Sequence, residues 1–296
     1  MEIKNVIICG LGALGITYAN KLKDVCDLKI LADRKRIENY KVKIPTLNNE
    51  NLLLDYITPF DNFDADLIII STKSVGLDSA IEYIKNFVSE NTIIISLING
   101  ISSEEKIKKV YPKAKVLCSY FIGHSAMGVN ISEKKYFQDG VGKIVFESNS
   151  DLEKFFKINN IDYEISEDIV YSQWIKLGVN IILNEPSAIY KCTVGELRQR
   201  KDYLPLVKNL LKEIKDVAQA HGVKKLENYE DKVLESAQLI SDDGKTSMYQ
   251  DIISKRKTEV DIFSGEIIKL GDKYGVHTPI NKDIYNKIKD IERNFS

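Results

Sequence analysis

The sequence is poor in residues that mark several large classes of protein. Its 296 residues include only 4 cysteines, 3 histidines, 6 prolines and 16 glycines. The cysteines are scattered, with no C-x-x-C pair and no histidine at ligand spacing, so we expect structural thiols and neither a disulfide scaffold nor a bound metal. The low proline and glycine content, together with 44% hydrophobic residues, argues against a disordered chain.

An excess of one charge and a long apolar run are also missing. The 42 Lys and Arg residues balance 43 Asp and Glu, which argues against a nucleic-acid partner because such proteins concentrate basic charge. No apolar run approaches the roughly 18 residues of a membrane-spanning helix. The start, MEIKNVIICGLGALG, lacks the pattern of a signal peptide. We therefore predict a soluble, cytoplasmic protein of about two domains, with no membrane partner.

Strand-like and helix-like stretches alternate in the first half of the chain. Short strands rich in Ile, Val and Leu, separated by helices, predict an α/β domain with a parallel sheet covered on both faces. The predicted strands are 3–9, 28–32, 67–71, 92–97, 115–119 and 141–146, and the predicted helices are 16–23, 77–89, 103–111 and 151–159.

The second half has helical periodicity and few strand signals. Ser166, followed by two acids, predicts a helix N-terminus, and Gly222 and Gly275 predict helix C-termini. We predict one domain over 1–166 and an all-helical domain over 167–296. The predicted helices are 166–189, 203–221, 229–239, 248–275 and 282–291, with a short basic helix at 252–257 inside the fourth.

A glycine-rich turn links the first predicted strand to the first helix. Gly10-x-Gly12-x-x-Gly15 has the strand–turn–helix context that dinucleotide binding requires. The first glycine allows the tight turn, the second lets the backbone approach a pyrophosphate, and the third lets the helix pack on the strand. The helix N-terminus would then face the phosphates. The residues predicted to bind the dinucleotide here are Gly10, Leu11, Gly12, Ala13, Leu14 and Gly15.

The end of the second predicted strand bears on which dinucleotide is bound. Asp33 lies where an acid would accept a hydrogen bond from the ribose 2′-hydroxyl of NAD. Arg34, followed by Lys35 and Arg36, could instead pair with the 2′-phosphate of NADP. Three cations against one anion favour NADP, with Arg34 as its ligand.

Three polar residues are spaced by four in the segment that begins at Trp174. Lys176, Asn180 and Asn184 therefore line one stripe of a helix, and apolar residues surround them. Buried amides and a buried ammonium are costly without partners. A substrate that supplies those partners would explain the stripe, and other protein groups could also do so. A lysine in such a place can serve as a proton donor.

Several of these motifs together resemble the ketopantoate reductase family along essentially the whole chain. The stripe reads W-x-K-L-x-x-N-x-x-x-N, and S-M-x-Q-D…T-E-x-D-x-x-x-G spans residues 247–265. The other matching positions are Lys73 and Asn99-Gly100, each after an apolar strand, and Gly195-Glu196-Leu197.

The resemblance implies a Rossmann domain, a helical domain like that of 6-phosphogluconate dehydrogenase, and a site in the cleft between them. It also implies NADPH-dependent reduction of 2-dehydropantoate to (R)-pantoate, on the route to pantothenate and coenzyme A. By this resemblance Lys176 is the general acid, and Asn180, Asn184 and Ser247 bind substrate. Lys73 and Asn99 match positions beside the nicotinamide, and Asn99 is also predicted to bind substrate. Glu259 matches the acid that completes the cleft, with a catalytic and a cofactor-binding role.

Some positions depart from the family pattern. Glu185 separates Asn184 from the usual proline, Val194 stands where many members carry an asparagine, and residues 120–130 lack the usual Thr-rich turn. Two alternative functions therefore stay open: a reductase of another branched 2-oxo acid, and a non-catalytic NADP(H)-binding sensor. We expect either a monomer or a homodimer.

Overall fold

A computed structural model describes residues 1–123 and 126–295 of the protein. The chain divides into two compact units, Met1–Ile169 and Val170–Ser296. Across the described residues, no helix is both long enough and apolar enough to cross a membrane.

The first unit is a mixed α/β structure. Its helices are α1 (Ala13–Leu22), α2 (Arg34–Val42), α3 (Leu77–Tyr83), α4 (Ser103–Val110) and α5 (Ser150–Ile158). Its strands are β1 (Asn5–Cys9), β2 (Asp27–Leu31), β3 (Thr46–Leu47), β4 (Glu50–Asn51), β5 (Asp55–Ile57), β6 (Leu67–Ile70), β7 (Ile93–Ser96), β8 (Lys115–Leu117), β9 (Ser119–Gly123), β10 (Met127–Asn130), β11 (Lys135–Phe137), β12 (Gly142–Phe146) and β13 (Tyr163–Ile165).

Six parallel strands form the main sheet in the order β5-β2-β1-β6-β7-β8. All four residues of β6 and of β7 are buried, which is why these segments read as continuous apolar runs. The strand order reverses between β1 and β6, because successive strands are added on one side of β1 up to β5 and on its other side from β6 onward. In such sheets ligands bind beyond the carboxyl ends of the strands at that point. The predicted Rossmann-type domain is confirmed.

Two smaller sheets, β10-β11-β3-β4 and β13-β12-β9, complete the first unit. Most of their strands are too short to give an apolar pattern, and the sequence did not predict β13. Because β13 pairs with β12, the backbone N–H of Ser166 donates to the carbonyl of Phe146 (3.0 Å). The backbone of Ser166 is therefore hydrogen-bonded to the sheet, and the helix that was predicted to start at Ser166 begins at Ile169 instead.

Helices and the loops between them form the described residues from 169 to 295. Gly222 (φ 97°) and Gly275 (φ 73°) end two of them in the left-handed conformation, as predicted. The helices are α6 (Ile169–Tyr190), α7 (Val194–Arg198), α8 (Tyr203–His221), α9 (Tyr229–Gln238), α10 (Ser247–Ile253), α11 (Ser264–Tyr274) and α12 (Pro279–Arg293).

The prediction of one long helix over 248–275, with a basic helix at 252–257, is wrong. The chain between α10 and α11 is held by hydrogen bonds that a continuous helix could not make. Asp251 accepts from Arg256 through both its backbone carbonyl (2.8 Å) and its carboxylate (2.7 Å). Lys255 takes a left-handed conformation (φ 50°). Thr258 then donates to the Glu292 carboxylate of α12 through its amide and its hydroxyl, both at 2.7 Å.

Pro186 lies inside α6, and the carbonyl that it leaves without a helical donor has a donor from another helix. Pro186 has no N–H, so the carbonyl of Ile182 loses its helical donor. The hydroxyl of Tyr203, at the start of α8, donates to that carbonyl instead (3.0 Å). The proline therefore ties α6 to α8 through one buried hydrogen bond.

Tyr203→Phe should lower the free energy of unfolding by about 1–2 kcal/mol, because it leaves the buried Ile182 carbonyl without a donor. In a Pro186→Ala background the new backbone N–H can bond that carbonyl, so the same substitution should cost less. Urea unfolding of the four proteins measures the difference as a double-mutant cycle. An equal cost in both backgrounds would contradict the link between Pro186 and Tyr203.

Candidate functional site

The first and third glycines of the predicted dinucleotide motif are required by close packing. Gly10 has a φ of 103°, and a Cβ there would lie 2.7 Å from the amide nitrogen of Thr72. A Cβ on Gly15 would lie 1.9 Å from the carbonyl oxygen of Gly10. That oxygen also accepts from the Ser71 hydroxyl at 2.6 Å. The turn is thus clamped between α1 and the end of β6.

Gly12 differs from the other two glycines because a Cβ there would meet no described protein atom within 4 Å. It is the N-cap residue of α1, and its φ and ψ are extended, with no side-chain cap on the helix. The amide of Ile16 makes the first α-helical bond, to the Gly12 carbonyl (2.8 Å). The preceding N–H groups of α1 have the geometry that suits a phosphate. The turn therefore fits a dinucleotide.

The residues between the glycines contribute backbone and packing. Leu11 is buried and its carbonyl accepts from the Tyr136 hydroxyl (3.3 Å). The carbonyl of Ala13 accepts from the Thr17 hydroxyl (2.9 Å), and Leu14 packs against the apolar core. The turn is therefore held in place by its own backbone groups.

The charged turn after β2 separates the roles of Asp33 and Arg34. Asp33 is the N-cap residue of α2: its carboxylate accepts from the amide of Arg36 (2.8 Å) and lies 3.4 Å from the Arg36 Nε. Arg34 begins α2 and is exposed. Hydrogen bonds from Thr58, and to a smaller extent the charge of Arg34, hold the pKa of Asp61 below its usual value. The geometry pairs Asp33 with Arg36 and leaves Arg34 and Lys35 exposed at this turn.

Lys73 and Asn99 lie at the same edge of the main sheet as the glycine turn. They follow β6 and β7, and β1, β6 and β7 are adjacent parallel strands whose last residues are in register. Lys73 is exposed and Asn99 is half-buried. The structure thus brings the predicted cofactor residues of the first unit to one edge of the sheet, where the strand order reverses between β1 and β6.

The predicted polar stripe lies on α6. Lys176 and Asn180 are half-buried, and Asn184 is buried with 9% of its surface exposed. The side-chain amide of Asn184 donates to the side-chain oxygen of Asn180 (3.0 Å), which orients both amides. Trp174 and Ile181 are buried around them. A helix this deep in the unit carries polar side chains at a cost that a bound polar ligand would offset.

Ser247 begins α10, next to a residue that contacts α6. The hydroxyl of Ser187 on α6 donates to the carbonyl of Asn184 (3.1 Å) and lies 2.7 Å from the hydroxyl of Thr246, the N-cap residue of α10. Ser247 itself is exposed. The stripe and the start of α10 are therefore held together within the second unit.

The T-E-x-D motif holds Glu259 between two anchors. Thr258 is bonded to Glu292, and Asp261 accepts from the Tyr285 hydroxyl (2.8 Å) and lies 3.3 Å from the Lys289 ammonium. Glu259 is half-buried between them. Thr258 and Asp261 thus have structural roles, and together they fix the position of the segment that carries Glu259.

The Gly195-Glu196-Leu197 motif also has a structural role. The amide of Gly195 donates to the carbonyl of Asp242 (2.8 Å), and a Cβ there would lie 2.8 Å from the Asp242 Cβ. Thr193 and Glu196 form a capping box at the start of α7. Val194 is completely buried, and its amide donates to the carbonyl of Gly244 (3.0 Å). The motif positions the loop that leads into α10.

Glu185, which departs from the family pattern, also lies on α6 beside the polar stripe. It is completely buried, one carboxylate oxygen accepts from the amide of Ser264 (3.0 Å), and burial raises its pKa to about 8. An acid inside an otherwise apolar helical stretch, next to Asn184, was the available signal.

The cysteines have the environments expected of structural thiols. Burial raises the pKa of Cys9 and of Cys26 to about 12 and that of Cys118 to about 11, and all four cysteines are free thiols. No metal-binding cluster of His, Cys, Asp or Glu occurs in residues 1–123 and 126–295. His124 and part of the 120–130 segment lie outside the described residues.

Gly15→Ala and Gly12→Ala should separate stability from binding. Gly15→Ala forces a Cβ against the Gly10 carbonyl and should lower the melting temperature by several degrees, since it costs about 1–3 kcal/mol or more. Gly12→Ala meets no described protein atom and should leave the melting temperature nearly unchanged. It should weaken dinucleotide binding roughly tenfold or more, because the methyl group lies where the backbone must approach the pyrophosphate. Melting curves and titration calorimetry with NADPH measure both. Unchanged affinity in Gly12→Ala would contradict the fit.

Glu185→Gln should change how stability depends on pH. A glutamate has a pKa of about 4.3 when unfolded, and burial raises that of Glu185 to about 8. Below pH 4.3 both states are protonated. Between these values only the unfolded state releases the proton, so wild-type stability falls as pH rises, by up to about 1.4 kcal/mol per unit. Relative to glutamine, the wild type should lose stability from pH 4.5 to 8 and no further above 8. Urea midpoints across this range test it, and parallel curves would refute it.

Comparisons with known proteins agree with this architecture. Residues 6–150 match the family model "Ketopantoate reductase PanE/ApbA", and residues 168–292 match "Ketopantoate reductase PanE/ApbA C terminal". A 2-dehydropantoate 2-reductase of Streptococcus pyogenes serotype M6 is 27% identical over 289 residues, which is 93% of each chain.

Solved structures share the fold. A D-mandelate dehydrogenase in a ternary structure with NADH and anilino(oxo)acetate has a TM-score of 0.87 at 21% identity, over 98% of this chain and 99% of the other. A dimeric ketopantoate reductase from Staphylococcus aureus has a TM-score of 0.76 at 23% identity, over 99% and 100%. With both of its units matched by the family models, the chain belongs to the ketopantoate reductase family of oxidoreductases.

Proposed function

We propose that the protein catalyses the NADPH-dependent reduction of 2-dehydropantoate (ketopantoate) to (R)-pantoate, on the route to pantothenate and coenzyme A. The observation that carries the proposal is the stripe of Lys176, Asn180 and Asn184 on a buried helix of a chain in this family. The relatives named 2-dehydropantoate 2-reductase, at 24–27% identity, support the same reaction.

Lys176 supplies the proton in the proposed reaction. When bound, a reduced nicotinamide supplies a hydride to the C2 ketone of the substrate, so negative charge builds on the carbonyl oxygen. The Lys176 ammonium stabilises that charge and donates a proton to the oxygen, and general acid assistance of this kind contributes about 10²–10⁴-fold. The amides of Asn180 and Asn184, with the Ser247 hydroxyl, hold the carboxylate and hydroxyl groups of the substrate and fix its orientation.

The remaining predicted residues hold the cofactor. The N–H groups at the start of α1 would hold the pyrophosphate, and Arg34 would hold the 2′-phosphate through a charge-assisted contact. Lys73 and Asn99, at the same sheet edge, would hold the nicotinamide end, and Asn99 would also bind substrate. Glu259 contributes to binding and catalysis from the second unit.

A second candidate is the reduction of another branched 2-oxo acid by the same machinery. Val194 favours it, because its completely buried apolar side chain offers no hydrogen bond where many family members carry an asparagine. The D-mandelate dehydrogenase of similar fold, solved with anilino(oxo)acetate, shows that one such fold holds a different acid.

Steady-state assays with ketopantoate and a panel of branched and aromatic 2-oxo acids, each with NADPH and with NADH, test the function. The highest kcat/KM for ketopantoate with NADPH is the expected result. A preference for another acid supports the second candidate, and the lack of turnover with every acid supports a non-catalytic NADP(H)-binding sensor.

We also propose a cytoplasmic homodimer. The dimeric ketopantoate reductase of Staphylococcus aureus supports the assembly. Light scattering coupled to gel filtration measures it, and a mass near the 33.7 kDa of one chain would contradict it.

Lys176→Ala should lower kcat by roughly 10²-fold or more, because the proton donor is lost. Its dissociation constant for NADPH should change little, because the lysine acts on the ketone and not on the phosphates. Lys201→Ala, which removes an exposed lysine, serves as the control for lost charge. Turnover within a few fold of wild type would remove Lys176 from the mechanism.

Arg34→Ala should weaken NADPH binding by roughly 10- to 150-fold, since a charge-assisted hydrogen bond contributes about 1.5–3 kcal/mol. NADH binding should change little. Lys35→Ala removes the same charge from the same turn and should have a much smaller effect. Dissociation constants for both cofactors measure the difference. Equal weakening of both cofactors, or a wild type that prefers NADH, would contradict the role of Arg34.

A further inference from the structure

Glu185 connects the polar stripe of α6 to the segment that carries Glu259. We propose that Glu185 is a positioning residue, which holds Asn184, a proposed substrate ligand, and Glu259, a proposed catalytic residue, in the mutual arrangement that the reaction requires. The inference rests on the proposed 2-oxo acid reduction and extends it to a residue that interrupts the usual family motif.

The carboxyl group of Glu185 caps a helix other than its own. One oxygen accepts from the amide of Ser264 (3.0 Å), the first residue of α11. Phe263, the N-cap residue of α11, provides no side-chain hydrogen bond. The N-terminal N–H groups of a helix need acceptors from outside the helix, so α6 supplies what the sequence before α11 lacks.

Glu185 can fill this place as a neutral acid. Its second oxygen and the hydroxyl oxygen of Ser264 are both buried without a hydrogen-bond partner among the described residues. Because burial raises the pKa of Glu185 to about 8, the group carries a proton at neutral pH. A protonated carboxyl group accepts through one oxygen and donates through the other. It therefore brings no net charge beside Asn184.

Glu185 and Ser187, on this turn of α6, each contact a segment that carries a predicted site residue. Adjacent residues of a helix project about 100° apart, so Asn184 can bond Asn180 while Glu185 faces α11. Glu259 lies five residues before Ser264 in the chain. Two residues after Glu185, the hydroxyl of Ser187 contacts Thr246, which precedes Ser247. The turn thus sets both the Glu259 segment and the start of α10 relative to the stripe.

Removal of the carboxyl group should affect substrate more than cofactor. In Glu185→Ala the amide of Ser264 is buried without its acceptor, so the start of α11 and the preceding Glu259 segment shift against Asn184. The KM for ketopantoate should rise roughly tenfold, in line with the cost of small displacements of binding groups. The kcat should fall severalfold, because Glu259 has a proposed catalytic role, while the KM for NADPH should change by less than the KM for ketopantoate, because the glycine turn and Arg34 lie in the first unit. Glu185→Gln keeps an acceptor and a donor and should restore the KM of the wild type.

Glu213→Ala is the matched control. Glu213 is also a buried carboxylate that caps another helix: it accepts from the amides of Ile280 (2.8 Å) and Asn281 (2.9 Å) at the start of α12. No predicted site residue lies at that helix terminus, and the α12 residues that anchor the Glu259 segment, Tyr285, Lys289 and Glu292, lie one turn or more further along the helix. Glu213→Ala should lower the melting temperature while the KM for ketopantoate stays within about twofold. Assays run well below the melting temperature of each variant separate positioning from partial unfolding.

Two kinetic outcomes would overturn the proposal: an equal rise of KM in Glu185→Ala and Glu213→Ala, or a Glu185→Gln variant as impaired as Glu185→Ala. Amide hydrogen exchange at Ser264 tests the contact without any substrate. Exchange should be faster in Glu185→Ala than in the wild type or Glu185→Gln, and unchanged exchange would also overturn the proposal. If the wild type reduces no 2-oxo acid, the proposed function fails, while the exchange result still decides whether Glu185 holds α11.

Discussion

The structure of the second unit depends on one constraint: α6 is buried, yet it carries a run of polar side chains that must each have a partner. Asn184 meets this requirement through Asn180, Glu185 through the start of α11, and Ser187 through the start of α10. Even the carbonyl freed by Pro186 receives a donor, from Tyr203. Because a buried polar group without a partner is costly, the neighbouring helices are placed by the bonds they make to α6.

The first unit follows a different constraint, which is set by backbone packing at the sheet edge. Gly15 must lack a side chain for α1 to approach β1, and Gly10 must turn with a positive φ beside Thr72. These close contacts position the uncapped start of α1 beyond the carboxyl ends of β1 and β6. The same edge carries Lys73 and Asn99. A phosphate-binding geometry here is thus a consequence of how closely the helix and the strands pack.

The parts of the fold that could be predicted are those with a local signal. Fully buried strands such as β6 and β7 read as apolar runs, and Gly222 and Gly275 mark helix ends by their own conformational freedom. The break between α10 and α11 could not be predicted in this way, since Thr258 is held by Glu292, far along the chain.

The candidate site, like the fold, could be predicted from the sequence only where the signal is local. The four-residue spacing of Lys176, Asn180 and Asn184 is visible in the sequence, and the glycine motif has its required context. The role of Glu185 is not visible, because its partner, Ser264, is 79 residues away. Likewise, the sequence left open which of Asp33 and Arg34 faces a ligand. The structure shows that Asp33 is engaged at the start of α2.

The bonds that Asp33 makes at the start of α2 couple cofactor preference to stability. In dinucleotide-binding domains the acid at the end of the second strand bonds the ribose 2′-hydroxyl of NAD, so it bears on cofactor preference. Here the same carboxylate caps α2 and bonds the backbone of Arg36, and the loss of such a cap costs about 1 kcal/mol. Any change of cofactor preference made at Asp33 would therefore loosen the first turn of α2, which also carries Arg34. In this chain, selection for a new cofactor and selection for stability act on one side chain.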